Sequence, residues 1–154
     1  MPYLIDGHNL IPKLGLRLDS PDDEMELIAI LQEFCRLERK QADVYFDGAP
    51  SHHAGTRKHG AVAAHFVALG TTADNAIRKR LKRMGKDAKN WIVVSSDRQV
   101  QTEARTAQAN ILSSDAFAKQ LKRARDSAPK STEDRKLSQQ EVEDWLKVFK
   151  GGKK

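Results

Sequence analysis

The chain predicts an α/β fold: a central, mainly parallel sheet flanked by helices, with one further amphipathic helix at the C-terminus. Three observations carry this. Short apolar runs alternate with helical patterns along residues 2–125. Three of those runs end at, or shortly before, an aspartate. The 154-residue length suits one domain with a small appendage and buries a core without disulfides.

Residues 2–5 predict a first strand ending at Asp6. Ser20-Pro21 opens a helix, with Ser20 as N-cap, Pro21 at the first helical position and Asp22 and Asp23 in the first turn. Leu27, Ile28, Leu31, Phe34 and Cys35 give that helix one apolar face. Val44-Tyr45-Phe46 predicts a second strand closed by Asp47. Residues 48–60 are polar and predict a loop, and 61–67 predict a third strand. Thr71 and Asp74 resemble a capping box at the head of a basic helix that stops at Gly85. Trp91-Ile92-Val93-Val94 is the clearest strand, and Ser96 with Gln99 starts the next helix. Ala109–Leu112 is a short strand, followed by a helix capped by Ser114 and ending near Arg125. The α/β core thus occupies 1–125, with a linker at 126–137. Residues 138–150 form the C-terminal helix, whose stripe of Val142, Trp145, Leu146 and Phe149 must dock. Its own domain is the expected partner; a homo-oligomer through that face is the alternative.

Composition excludes several classes. One cysteine, Cys35, rules out an internal disulfide and a cysteine-built zinc site, and aromatics at 6% argue against a base-stacking platform. There is no G-x-G-x-x-G, no P-loop and no G-x-S-x-G elbow. His52, His53 and His59 lack the spacing and acidic partners of a zinc site. No stretch is long and apolar enough to span a bilayer, no signal peptide is visible, and a cytoplasmic protein is expected. The net charge of +6 is unevenly spread: residues 1–50 carry five Lys/Arg against ten Asp/Glu. Seven of the twelve residues from Arg78 to Lys89 are basic. Such asymmetry attracts a polyanion.

In an open parallel sheet the carboxyl ends of the strands share one edge, where ligands bind. Asp6, Asp47 and Asp97 fall at strand ends, and Asp74 in the opening turn of the basic helix. Like charges gathered at one point are costly unless a cation offsets them. Hard cations such as Mg²⁺ and Mn²⁺ take carboxylate oxygens, so the pattern predicts a divalent-metal site. A basic helix beginning beside it adds phosphate-binding charge and a favourable N-terminal dipole.

The motifs Tyr3-Leu4-Ile5-Asp6-Gly7-His8-Asn9-Leu10-Ile11, Val44-Tyr45-Phe46-Asp47-Gly48, Thr72-Ala73-Asp74 and Val93-Val94-Ser95-Ser96-Asp97 stand in this order. Together they resemble the NYN domains, a branch of the PIN-like nucleases, and the YacP-like subgroup in particular. The resemblance covers about residues 2–125. It implies a PIN-like three-layer α/β/α sandwich and metal-dependent endoribonuclease activity with Mg²⁺ or Mn²⁺, leaving a 5′-phosphate and a 3′-hydroxyl. By this resemblance Asp6, Asp74 and Asp97 bind metal, with Asp47 as a further acidic position. Asn9 orients Asp6 or a phosphate, and Ser96 supports the last acid. The subgroup often has Tyr where this chain has His8.

Arg78, Arg80, Lys82, Arg83 and Lys86 on the basic helix, with Arg57, Lys58 and Arg98 elsewhere, are the candidates to hold RNA, single-stranded or messenger. Ribosome-bound message is one setting for this. The alternative function is a non-catalytic RNA-binding module of the same fold. A haloacid-dehalogenase-type phosphotransferase is disfavoured, because it needs an acid two residues beyond Asp6, where His8 stands.

Overall fold

The computed structural model describes residues 1–16 and 21–126. Among the described residues there are six strands: β1 (Tyr3–Asp6), β2 (Ala42–Ala49), β3 (Gly55–His59), β4 (Val62–Ala68), β5 (Ile92–Val94) and β6 (Asn110–Leu112). They form one sheet in the order β3-β4-β2-β1-β5-β6, parallel throughout except for the antiparallel edge pair β3 and β4. Five helices accompany them: the single turn α1 (Gly7–Leu10), then α2 (Pro21–Glu38), α3 (Ala73–Met84), α4 (Arg98–Thr106) and α5 (Ser114–Asp126).

Strand alternation sorts the core into two layers. Tyr3, Ile5, Val44, Phe46, Val62, Ala64 and Phe66 pack beneath α2 and α5, against Leu27, Ile28, Leu31, Phe34, Phe117 and Leu121. Leu4, Tyr45 and Val93 face the other way, onto Ala73, Ile77 and Leu81 of α3 and Val100 and Ala104 of α4. Both faces are covered, which is why the parallel strands are almost continuously apolar. Cys35 lies inside the first layer, and burial lifts its thiol to about 11, so it packs as an apolar side chain.

The stretch read as a loop over 48–60 is instead largely strand. Residues 42–49 continue β2, and Gly55–His59 forms β3, paired with β4 from Gly55↔Phe66 to His59↔Val62. Its sequence, Gly-Thr-Arg-Lys-His, lacks apolar alternation because it is an exposed edge, where charged residues discourage pairing with other chains. Three caps also sit one residue from their predicted places. Thr72, not Thr71, caps α3 by accepting from the Asn75 amide at 3.1 Å. Asp97, not Ser96, caps α4. The Ser113 hydroxyl, not that of Ser114, accepts from the Ala116 amide at the head of α5. Ser20, the linker at 126–137 and the helix at 138–150 fall outside the described residues, apart from Asp126, which closes α5.

Candidate active site

The chain adds β2 and β4 on one side of β1 and then β5 and β6 on the other, so the order of the parallel strands reverses at β1. That is the switch point at which parallel sheets open a crevice beyond their carboxyl ends. Asp6 is the last residue of β1, and Asp97 follows β5 across this point. Gly7 makes the turn out of β1. A Cβ there would stand 2.4 Å from the Phe46 ring and 2.9 Å from the Tyr45 carbonyl, so only glycine lets α1 leave the strand this close to β2.

Asp6 is 6% exposed. Burial, then the adjacent Asp74 carboxyl, push its pKa up to about 7, while the nearby Asn9 backbone amide works against the rise. Asp74 sits half-buried in the first turn of α3, within hydrogen-bonding reach of both Asp6 and Asp97. Burial raises it first; the hydrogen bond with Asp6 opposes this, and the charges of Asp97 and Asp47 add to the rise. One oxygen of Asp97 is committed to its helix, accepting from the Gln99 and Val100 amides at 2.8 and 3.2 Å. Asp47 borders the cluster, and its charge raises both Asp6 and Asp74. Its Oδ2 accepts from the Ala73 amide at 3.1 Å, and its Oδ1 lies 3.0 Å from His8 Nδ1.

The structure thus brings Asp6, Asp74, Asp97 and Asp47 into one electrostatically linked group. They run side by side, and among the described residues no set of three or more His, Cys, Asp or Glu is arranged to hold a metal ion. The donor chemistry still fits a hard divalent cation. All the groups are carboxylate oxygens, and Asp6 and Asp74 are both raised by burial and by neighbouring acids with no compensating cation beside them.

Sequence reasoning missed three supporting residues: His8, Glu24 and Ser95. His8 bridges Asp47 and Glu24 of α2, with Nε2 2.6 Å from Glu24 Oε2. The His8 pKa is raised, first by the Glu24 hydrogen bond and then, against burial, by Asp47. Glu24 reads in the sequence only as one of several acids in a first helical turn. The buried hydroxyl of Ser95, rather than Ser96, accepts from the Asp97 amide at 3.0 Å. Ser96 accepts through its hydroxyl from the Ser114 amide at 3.1 Å. The side chain of Asn9 binds neither Asp6 nor open crevice: its Oδ1 accepts from the Ser96 amide at 2.7 Å and from the Ser114 hydroxyl. It ties the chain after β5 to the start of α5.

The basic candidates divide. Arg80 turns inward, donating to Asp43 at 2.8 Å and to the Tyr45 hydroxyl at 3.0 Å, over the Trp91 ring. Its guanidinium is thus engaged within the fold. Arg78 lies 3.9 Å from Glu103. Lys82, Arg83 and Lys86 are exposed, as is Lys79, which the sequence argument passed over. Arg98 is exposed immediately after Asp97. Arg57 and Lys58 are exposed on β3, with the Arg57 guanidinium over Phe66 at 5.0 Å.

Three layers, this strand order and an acidic switch point define a PIN-like α/β/α sandwich. The chain belongs to the YacP-like NYN domain family of PIN-like ribonucleases: the family's model matches residues 3–149, taking in the C-terminal segment as well. Among solved structures the chain is similar to Rae1 (YacP) from Bacillus subtilis, with a TM-score of 0.67 at 19% identity over 99% of this chain and 96% of that one. A mutant form of the same Bacillus subtilis protein gives a TM-score of 0.65 at 21% identity over 96% and 91%. No curated protein matches the chain. Membership implies nuclease activity on RNA, and PIN-like nuclease domains generally use divalent metals. Among the described residues no helix is long and apolar enough to cross a membrane.

Proposed function

We propose that this protein is a divalent-metal-dependent endoribonuclease that hydrolyses phosphodiester bonds in single-stranded RNA. One observation carries the proposal: the carboxyls of Asp6, Asp74 and Asp97 gather at the sheet's switch point, with Asp74 between the other two, beside the N-terminus of a basic helix. Asp6, Asp74 and Asp97 hold Mg²⁺ or Mn²⁺, with Asp47 beside them. The bound metal supplies charge to polarise a phosphoryl oxygen and to lower the pKa of an attacking water. The chain's own residues do the rest. The amino end of α3 favours the scissile phosphate next to Asp74. The Ser95 hydroxyl holds the Asp97 backbone amide, and the backbone amides of Gln99 and Val100 hold its carboxylate. Exposed Lys82, Arg83 and Lys86 hold the flanking backbone, and Arg98 lies next to the acids. Attack of water in line leaves a 5′-phosphate and a 3′-hydroxyl.

The test is cleavage of a labelled single-stranded RNA by wild type and Asp74→Asn, each with Mn²⁺, Mg²⁺ or EDTA. Cleavage that needs the metal and falls at least ~100-fold in Asp74→Asn is expected. Wild type that binds several RNAs but cuts none overturns the enzyme in favour of an RNA-binding module.

A further inference from the structure

We propose that His8, anchored by Glu24, is the positioning residue for Asp47 and through it sets the spacing of the acidic cluster. The contacts form one unbroken path across four elements. Glu24, in the first turn of α2, holds His8 Nε2 at 2.6 Å. His8, in α1, holds Asp47 Oδ1 at 3.0 Å from the opposite edge of its ring. Asp47, near the end of β2, takes the Ala73 amide on its other oxygen at 3.1 Å. Ala73 is the first residue of α3 and the immediate neighbour of Asp74.

The path explains what a solitary strand-end aspartate does not. Asp47 is more exposed than Asp6, its side chain 38% accessible, and Asp side chains at such positions turn freely into solvent. Here both carboxylate oxygens are engaged, from two directions, so the group keeps one orientation. The ring itself is held at its second nitrogen and lies tilted against the Phe46 ring, centroids 5.4 Å apart. A partner holding a ligand group in this way is what typically sets ligand geometry in metal sites. The inference deepens the metal-dependent reading of the site and rests on it only for its consequence, not for the positioning itself.

The experiment has one arm without metal and one with it. In metal-free protein, amide exchange at Ala73 reports whether Asp47 stays in place. His8→Ala is expected to speed that exchange at least ~10-fold, and Glu24→Ala, which leaves the imidazole present but unanchored, to speed it less. In an Asp47→Ala background the acceptor is already gone, so adding His8→Ala changes nothing further. Unaltered exchange in His8→Ala overturns the proposal, as does an equal rise at core amides of β1 and β5, which would mean general loosening. In the second arm, Mn²⁺ affinity by electron paramagnetic resonance is expected to fall ~10–100-fold in His8→Ala. Wild type that takes up no Mn²⁺ while the Ala73 result holds would remove the metal reading and leave the positioning role standing.

Discussion

The Asp6 carboxyl, ending a central strand, lies beside that of Asp74, opening a helix, and burial, then the Asp74 charge, raise the Asp6 pKa to about 7. Two acids so placed make the metal-free protein sensitive to pH in an unusual direction. A carboxyl whose folded pKa exceeds its ordinary value of 3.8 binds more protons folded than unfolded between the two. Metal-free stability therefore falls as pH rises from about 4 to above 7. Thermal melts in EDTA at pH 5 and pH 8 are expected to show this slope in wild type. Asp6→Asn removes the buried charge and gains on the order of 2 kcal/mol over wild type at pH 8, with little difference at pH 5. Mn²⁺ reverses the order, raising the wild-type melting temperature more at pH 8 than at pH 6.

Arg80 gives a prediction of opposite sign. Burial pushes the Asp43 carboxyl up, but the hydrogen bonds from His65 at 2.9 Å and Arg80 at 2.8 Å outweigh it and hold the pKa below the ordinary value. A depressed carboxyl adds stability that is present above its unfolded pKa and is lost as pH falls through the folded one. Arg80→Met is expected to cost about 2 kcal/mol at neutral pH and to move acid unfolding to higher pH. RNA affinity stays within about twofold of wild type, since this guanidinium is occupied. A large loss of RNA binding without loss of stability would return Arg80 to the binding surface.

Much of this was legible in the residues, and the failures have physical causes. The apolar runs at Tyr3–Ile5, Val44–Phe46 and Ile92–Val94 mark central strands because both sheet faces are buried there. Acids at their ends locate the cluster for the same reason: parallel strands end on one edge. The caps slipped by one residue at Thr71-Thr72, Ser96-Asp97 and Ser113-Ser114, where two neighbouring side chains cap about equally well and tertiary contacts choose between them. Strand β3 was hidden because an exposed edge carries no apolar signature. His8 with Glu24 was hidden for another reason: pairing between a one-turn helix and a distant helix start leaves no periodicity to read. The direction of Arg80 depends on Asp43, at the far end of β2 from Asp47, and no local pattern reports it.

Gly7 tests how tightly the site depends on backbone approach. Gly7→Ala places a methyl group 2.4 and 2.6 Å from two Phe46 ring atoms and 2.9 Å from the Tyr45 carbonyl oxygen. Overpacking of this kind costs about 1–3 kcal/mol. Part of the cost is recovered in Gly7→Ala/Phe46→Leu, because a smaller side chain relieves the ring but not the carbonyl. Denaturant melts of the three proteins check this; full recovery in the double variant would place the whole clash on the ring.

The remaining prediction concerns what the exposed face of α3 and its continuation do. Lys79, Lys82, Arg83 and Lys86 are exposed, whereas Arg78 and Arg80 have acidic partners at 3.9 and 2.8 Å. Charges already paired release few counterions on binding RNA; free ones release theirs, by about 0.7 per phosphate neutralised on a single strand. Affinity for a catalytically inert RNA is therefore expected to fall steeply with salt. Lys82→Ala/Arg83→Ala weakens binding at low salt and reduces the log–log slope by about 1.4 if both meet phosphates. Arg78→Ala changes it by less, because Glu103 already claims part of its charge. Filter binding across a salt series reads all three. A wild-type slope near zero would remove the basic face from RNA recognition and leave the acidic cluster to find its substrate by other contacts.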